Sequence, residues 1–144
     1  MLQKNADDMN SIFSKIVRGE IPCHRVLETD KHLAFLDIRP VAEGHTLVVP
    51  KQEVDYLFDL EDGLLAETFL VAKRVARALD GTFKPLRTGV IVEGLEVPHA
   101  HVHLIPIHVH GQPFALSAGR PAESEALAAT AGRIRRHIET QEAR

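Results

Sequence analysis

Cysteine is almost absent from this sequence, which has Cys23 alone among its 144 residues. A single thiol excludes an internal disulfide framework and any zinc knuckle built from several cysteines. An unpaired cysteine is also typical of proteins in a reducing compartment. Long apolar runs are missing too, since none approaches the about 18–20 residues that a bilayer-spanning helix needs. We therefore expect a cytoplasmic protein with no membrane partner.

An excess of basic charge is likewise missing. The chain has 17 basic and 20 acidic side chains, which gives a formal net charge of −3. Without runs of Lys or Arg, it lacks the electrostatic footprint of a nucleic-acid-binding protein. The hydrophobic content of 44% is ordinary for a globular protein. The length suits one compact domain, and we assign residues 1–144 to a single domain.

Hydrophobic spacing and turn residues predict an α+β fold in which helices pack on an antiparallel sheet. The predicted elements, in chain order, are a helix over 11–19, strands over 23–28, 33–38 and 46–49, a helix over 61–80, strands over 89–92 and 100–105, and a helix over about 122–139. The central helix repeats apolar residues at three- and four-residue spacing and is expected to end at Gly81. The last helix is amphipathic, with one apolar face formed by Leu127, Ala131, Ile134 and Ile138.

Histidine is unusually frequent, with nine residues in the chain and five of them in the segment 99–110. Side chains alternate between the two faces of a strand, so His99, His101 and His103 are predicted to share one face. The apolar residues between them would then face the core. His108 and His110 lie beyond this strand and are predicted to be surface residues.

Three interpretations of this histidine row follow from the residues alone. The simplest is a half-exposed strand with solvated side chains. A His-x-His pair can also supply two ligands to Zn²⁺ or Fe²⁺, with a third from His45 or Glu53. The third interpretation is nucleophilic catalysis, because neutral imidazole attacks phosphorus and neighbouring imidazoles can hold phosphoryl oxygens. Beyond that ligand role, the residues assign no chemistry to His45 or His24.

The segment His99-Ala-His101-Val-His103-Leu-Ile105 resembles the histidine-triad (HIT) signature, in which histidines alternate with apolar residues. Three further blocks resemble the same family in the same order: Ile12-Phe-Ser-Lys-Ile16 with Gly19-Glu-Ile-Pro22, Ala34-Phe-Leu-Asp-Ile-Arg-Pro40, and Gly44-His-Thr-Leu-Val-Val-Pro-Lys51. The resemblance covers about residues 11–108 and is closest to the Hint-like branch. It implies an antiparallel sheet of about five strands with a long helix and short N-terminal and C-terminal helices, assembled as a homodimer.

The resemblance also implies an activity and a role for each matching residue. His101 would attack the α-phosphorus of a purine nucleotide, an AMP or GMP derivative such as a phosphoramidate or dinucleoside polyphosphate, without a metal or cofactor. The backbone carbonyl of His99 would hold the proton on the other ring nitrogen of His101, and His103 would contact the phosphate and the leaving group. Asp37 would bind ribose hydroxyls, and Lys51 would be a cation near the phosphates. The base pocket would be lined by Ile12, Phe13, Ile16, Phe35, Leu36 and Ile38.

The sequence departs from the family pattern in three places. Many relatives have a Cys-x-x-Cys pair that helps to bind a structural zinc, but Ser11 and Ser14 stand at those positions, so we predict no structural zinc. Glu53 replaces a histidine and is expected to remove one imidazole from the phosphate pocket. Leu95 and Glu96 replace polar residues that contact the phosphate or the leaving group. A nucleotide-binding protein with little turnover and a His-x-His metalloenzyme therefore stay open as alternatives.

Overall fold

The computed structural model describes residues 10–142. Its helices and strands, in chain order, are α1 (Ile12–Val17), β1 (Arg25–Glu28), β2 (His32–Leu36), β3 (Thr46–Pro50), α2 (Asp62–Phe83), β4 (Arg87–Ile91), β5 (Val102–Ile107) and α3 (Ser124–Glu142). Residues 1–9 and 143–144 of the predicted domain lie outside the described part. None of the helices within residues 10–142 is long and apolar enough to cross a membrane.

The five strands form one sheet in the order β1-β2-β3-β5-β4, and every neighbouring pair is antiparallel. The predicted α+β fold with a five-stranded antiparallel sheet is therefore confirmed. The C-terminal helix has about the predicted length but is not short, as the family resemblance implied, since α3 has 19 residues and α2 has 22. Each predicted strand is present, with ends that shift by a few residues.

The alternation of side chains along the strands gives the sheet two different faces. Ala34 and Leu36 of β2 face α2 and α3, in a core that includes the fully buried Leu79 and Ile134. The apolar face predicted for α3 lies in this core. Leu33 and Phe35 of the same strand point to the opposite face, where they pack with α1. The second face is the one that carries the histidines.

The prediction that the central helix ends at Gly81 is wrong. The helix continues to Phe83 and ends at Lys84, which has a left-handed backbone with φ of 50°. Gly81 lies inside α2 instead, where the His137 side chain of α3 rests against it, since a Cβ atom at this position would lie 1.9 Å from Nε2 of His137. A glycine whose position in the sequence indicates a helix end therefore lies inside the helix here, beside a side chain of α3.

Candidate active site

A cavity of about 660 Å³ opens on the second face of the sheet. Its volume is within the range of about 300–1,000 Å³ that is usual for small-molecule sites. The wall is formed by α1, the end of β2, the segment 93–97 before the histidines, and residues of the segment 115–119 after β5. His101 and His103 line it, and both are buried.

The ring of His101 is fixed from two sides. Its Nδ1 lies 2.6 Å from the backbone carbonyl oxygen of His99. Because a carbonyl only accepts hydrogen bonds, Nδ1 carries the proton and Nε2 keeps its lone pair. Phe13 of α1 stands edge-on to the imidazole, with ring centroids 4.9 Å apart. The result is one neutral tautomer in one orientation beside the cavity.

The ring of His99 does not line the cavity. Its Nδ1 is 2.7 Å from Oγ of Ser11, and its Nε2 is 2.7 Å from the carbonyl oxygen of Pro50. The side chain is fully buried. The predicted placement of the three imidazoles on one face holds, since the ring of Phe13 in α1 contacts both His99 and His101 and the ring of His103 lies beside His101, although β5 itself begins only at Val102. His99 contributes its carbonyl group to the site, as the family resemblance implied.

His103 is paired with His45, a residue to which the sequence assigned no role beyond possible metal ligation. The backbone N–H of Val41 donates to Nδ1 of His45 at 3.0 Å. His45 Nε2 must therefore carry the proton of the neutral ring and donates it to Nδ1 of His103 at 2.9 Å. This leaves Nε2–H on His103, a buried atom without a partner in the described chain. The only hint in the sequence was that His45 directly precedes a buried strand.

Burial keeps these imidazoles uncharged. It lowers the pKa of His103 to about 3, and the neighbouring His101 and His45 add to the effect. Burial also lowers the pKa of His101, although the hydrogen bond to His99 and the charge of Asp37 partly offset it. The pKa of His45 is lowered by burial and raised in part by Asp37. At neutral pH the site therefore holds two neutral imidazoles, that of His101 with an unprotonated Nε2 and that of His103 with an Nε2–H donor.

Most of the predicted nucleotide-binding residues come together at the cavity. Those that line it are Ile12, Phe13, Ile16, Phe35, Leu36, Asp37 and Ile38. The structure does not place Lys51 with them, since its ammonium group pairs with Glu28 at 2.7 Å and it does not line the cavity. The predicted surface residues His108 and His110 are exposed.

The model of the HIT domain family matches residues 18–110 of this chain. The chain belongs to the HIT family. The adenosine 5'-monophosphoramidase HNT1 of Saccharomyces cerevisiae is 39% identical over 117 residues, which are 81% of this chain and 73% of that protein. The crystal structure of a Hit-like protein from Bartonella henselae, described as involved in cell-cycle regulation, has a TM-score of 0.81 at 32% identity and covers 95% of this chain and 99% of its own. A zinc-bound histidine triad family protein from Mycobacterium smegmatis has a TM-score of 0.80 at 26% identity, with 94% and 97% covered.

Glu53 of this HIT protein lies away from the cavity, so the expectation that it alters the phosphate pocket is wrong. Its side chain is buried, and Oε1 accepts hydrogen bonds from the backbone N–H of Ser11 and the hydroxyl of Ser14, both at 2.8 Å. Ser11 in turn contacts His99. Glu53 therefore belongs to the support of the histidines and not to the wall of the cavity.

The charged side chains that line the cavity of this HIT protein are mostly acidic. Asp37, Glu93 and Glu96 line it together with a single cation, Arg39. Glu96 and Leu95 belong to the segment that departs from the family pattern. The phosphate of a nucleotide would therefore depend on hydrogen-bond donors, because the local charge is not favourable to an anion.

The metalloenzyme interpretation requires a metal site, and the described residues contain one candidate. Asp37, His45 and His103 each offer a ligand atom, and these atoms lie within 4.8 Å of one another. The two imidazoles are, however, already joined by the 2.9 Å hydrogen bond between His45 Nε2 and His103 Nδ1. A metal ion bound to both nitrogens would have to displace that proton. The hydrogen bond is thus sufficient to explain why the three side chains are close.

Proposed function

We propose that this HIT protein cleaves a purine nucleotide at the α-phosphate through a nucleotidyl-histidine intermediate on His101. Nucleoside phosphoramidates, derivatives of AMP or GMP, are the favoured substrates, because the related HNT1 protein of S. cerevisiae is an adenosine 5'-monophosphoramidase. Dinucleoside polyphosphates are the second class. The observation that carries the proposal is the 2.6 Å hydrogen bond from His101 Nδ1 to the His99 carbonyl, which leaves Nε2 of His101 as a nucleophile.

In the first step, Nε2 of His101 attacks the α-phosphorus, and the bond from phosphorus to the leaving nitrogen or oxygen breaks. The leaving group takes up a proton from solvent as it departs, and the water that attacks in the next step returns one to solvent. Positive charge develops on the imidazole at the same time, and the carbonyl of His99 stabilises it through Nδ1–H. In the second step, water attacks the phosphorus and the bond to Nε2 breaks, which releases the nucleoside monophosphate and restores neutral His101. An acceptor other than water would give nucleotidyl transfer.

His103 is proposed to hold the phosphoryl oxygens. The ring centroids of His101 and His103 are 4.9 Å apart, so both rings can contact one phosphate group. The bond from His45 occupies Nδ1 of His103 and leaves Nε2–H as the donor. A donor that is already oriented in a buried site requires little reorganisation when charge moves onto the phosphoryl oxygens.

The apolar part of the cavity is proposed to bind the purine, and Asp37 the ribose. Oδ1 of Asp37 accepts the backbone N–H of Arg39 at 2.8 Å, and the other oxygen lies 3.6 Å from Nε2 of His45. This carboxylate is only partly exposed and still has acceptor capacity for the two ribose hydroxyls. The apolar side chains that would contact the base are Ile12, Phe13, Ile16, Phe35, Leu36 and Ile38.

The test is rapid-quench intact-mass spectrometry with a panel of nucleoside phosphoramidates and dinucleoside polyphosphates. We expect the wild-type mass to increase by one nucleotidyl group, and peptide mapping to place it on His101. His101→Ala should lose both the adduct and turnover but still bind AMP or GMP. His108→Ala, which changes an exposed histidine outside the cavity, is the matched control.

Other results would favour the alternatives. Undiminished turnover by His101→Ala would show that His101 is not the nucleophile. Thermal stabilisation by AMP without product from any substrate would indicate a binding protein with little turnover. Loss of activity on exhaustive chelation, with recovery on adding Zn²⁺ or Fe²⁺, would support the metalloenzyme.

We also propose that the chain forms a homodimer through the β4 edge of the sheet. β4 is a terminal strand in the sheet order and leaves one edge without a strand partner in the described chain. Val90 on that strand is 50% exposed, and Leu70 on α2, which packs against β4, is 62% exposed. An uncovered strand edge with apolar side chains readily pairs with another copy. Light scattering of wild-type protein and of Val90→Asp should give a dimer and a monomer, respectively.

A further inference from the structure

A buried polar cluster lies behind the nucleophile and outside the cavity. It consists of Ser11, Ser14, Glu53 and His99, which are between 0% and 7% exposed. These residues come from the start of α1, the chain after β3 and the chain before β5. Polar groups at such depth are stable only when they are paired, so the direction of each hydrogen bond is constrained.

The donor and the acceptor of each hydrogen bond in this cluster can be assigned, starting from Glu53, whose carboxylate only accepts. Its Oε1 accepts from Ser11 N–H and from the Ser14 hydroxyl, both at 2.8 Å. Ser11 Oγ accepts the backbone N–H of Ser14 at 2.9 Å and lies 2.7 Å from Nδ1 of His99. Because Nε2 of His99 must donate to a carbonyl, Nδ1 of the neutral ring is an acceptor. The Ser11 hydroxyl therefore donates to it, and His99 is held in a single tautomer.

This cluster is connected directly to the atoms that orient the nucleophile. The carbonyl oxygen that receives His101 Nδ1–H belongs to His99 itself. The next residue, Ala100, donates its N–H to the carbonyl of Val54 at 2.7 Å, one residue beyond Glu53. On the other side, the bond from Glu53 to Ser11 N–H holds the start of α1, which carries the Phe13 ring that packs against His101. Glu53 thus contacts one support of this imidazole directly and directly precedes Val54, which holds the other.

We propose that Glu53 is a positioning residue for His101, which acts by holding the start of α1 through Ser11 and Ser14 and, through the Ser11 hydroxyl, by holding His99. The inference rests on the proposed function, since it assigns to Glu53 the orientation of the nucleophile in that reaction. Glu53 does not contact substrate. Its carboxylate accepts the backbone N–H of Ser11 and the hydroxyl of Ser14, which holds Ser11 where its own hydroxyl donates to His99, and the carbonyl of His99 fixes the tautomer of His101.

The experiment compares three variants by kinetics and by the ¹⁵N chemical shifts of the imidazole nitrogens. Glu53→Met removes the acceptor at similar length, Glu53→Gln keeps one acceptor oxygen, and Ser11→Ala removes the hydroxyl that donates to His99. We expect kcat of Glu53→Met and Ser11→Ala to fall by about 10- to 100-fold with KM nearly unchanged, because a misplaced nucleophile loses rate without losing substrate binding. The ¹⁵N shift of His99 Nδ1 should change in both, because this acceptor loses or misplaces its donor, whereas Nε2 should stay protonated through its bond to the carbonyl of Pro50. Glu53→Gln should stay closer to wild type, and Glu125→Gln, at an exposed position of α3, is the matched control.

The outcomes are decisive even if one variant fails to fold. Wild-type kcat and wild-type shifts in Ser11→Ala would overturn the proposal, whether or not Glu53→Met is soluble. A fall in kcat that only follows the loss of folded protein, with unchanged shifts in the folded fraction, would also overturn it. Equal effects of Glu53→Gln and Glu53→Met would contradict the role of the accepted hydrogen bonds. If wild-type protein cleaves none of the panel, the shifts still test the positioning, and the failure then belongs to the proposed function alone.

Discussion

Lowering the pH from about 8 to about 5 should destabilise the folded protein, because His103 stays neutral when folded and takes up a proton once the chain unfolds. The pKa of this imidazole is about 6.5 in an unfolded chain and about 3 in the folded protein, where burial and the neighbouring His101 and His45 disfavour the charge. The stabilisation is therefore complete above the unfolded pKa. It is lost progressively as the pH falls from there toward the folded value.

The size of the effect follows from the two pKa values. By pH 5 the unfolded state binds a proton at His103 that the folded state with its pKa of about 3 excludes, which costs about 2 kcal/mol of unfolding free energy. The lowered pKa values of His101 and His45 act in the same direction. A loss of this size is a large part of the about 5–15 kcal/mol that stabilises a typical domain.

Urea denaturation at a series of pH values measures this dependence. Circular dichroism is the suitable signal, because the chain has no tryptophan. His103→Gln should flatten the fall in unfolding free energy between the two pH limits. Ile105→Val, on the same strand and equally buried, should lower stability by about 0.5–1.5 kcal/mol but leave the pH dependence as in wild type. A wild-type curve that is flat over this range, or an identical fall in His103→Gln, would refute the reasoning.

Three further predictions concern residues that line the cavity or support its histidines. His45→Phe removes the donor to His103 Nδ1, so the His103 tautomer is no longer fixed, and kcat should fall by about tenfold or more in steady-state assays. Glu96→Gln removes an acidic group from the lining and should raise kcat/KM for dinucleoside polyphosphates by up to about fivefold at low salt, an advantage that added salt should reduce. Gly119→Ala places a Cβ 2.2 Å from the backbone oxygen of Arg39, and it should cost about 1–3 kcal/mol in urea denaturation and weaken AMP binding by calorimetry.

The fold, and which histidines belong to the site, could be predicted from the sequence, because both depend on the spacing of residues close together in the chain. The helical period of α2 and α3 and the alternation in β5 determine which side chains enter the core. The histidine motif with its three accompanying blocks was sufficient to name the family. Gly81 shows the limit of local reasoning, because a glycine inside a helix, beside the side chain of His137, has the same sequence signal as a helix end.

The supports of the site were not accessible, because they come from distant parts of the chain. Ser11 meets His99 across 88 positions, and His45 meets His103 across 58. No spacing rule predicts such pairs. Strand alternation predicts that the rings of His99 and His101 share one side of the sheet, which they do, but it does not predict the hydrogen bonds that join His99 to Ser11 and Pro50. Roles in binding and catalysis remain predictions that the proposed experiments test.

Helix α1 has only six residues, which is too short to be stable by itself in water. Its order therefore comes from contacts such as those of Ser11 with Glu53 and of Phe13 with His101. Backbone amides of α1 should exchange with deuterium at a rate that reports how often the wall of the cavity opens. A nucleotide that occupies the cavity should slow this exchange. Amide exchange in α1 would thus measure ligand binding directly, in protein variants that have lost all turnover.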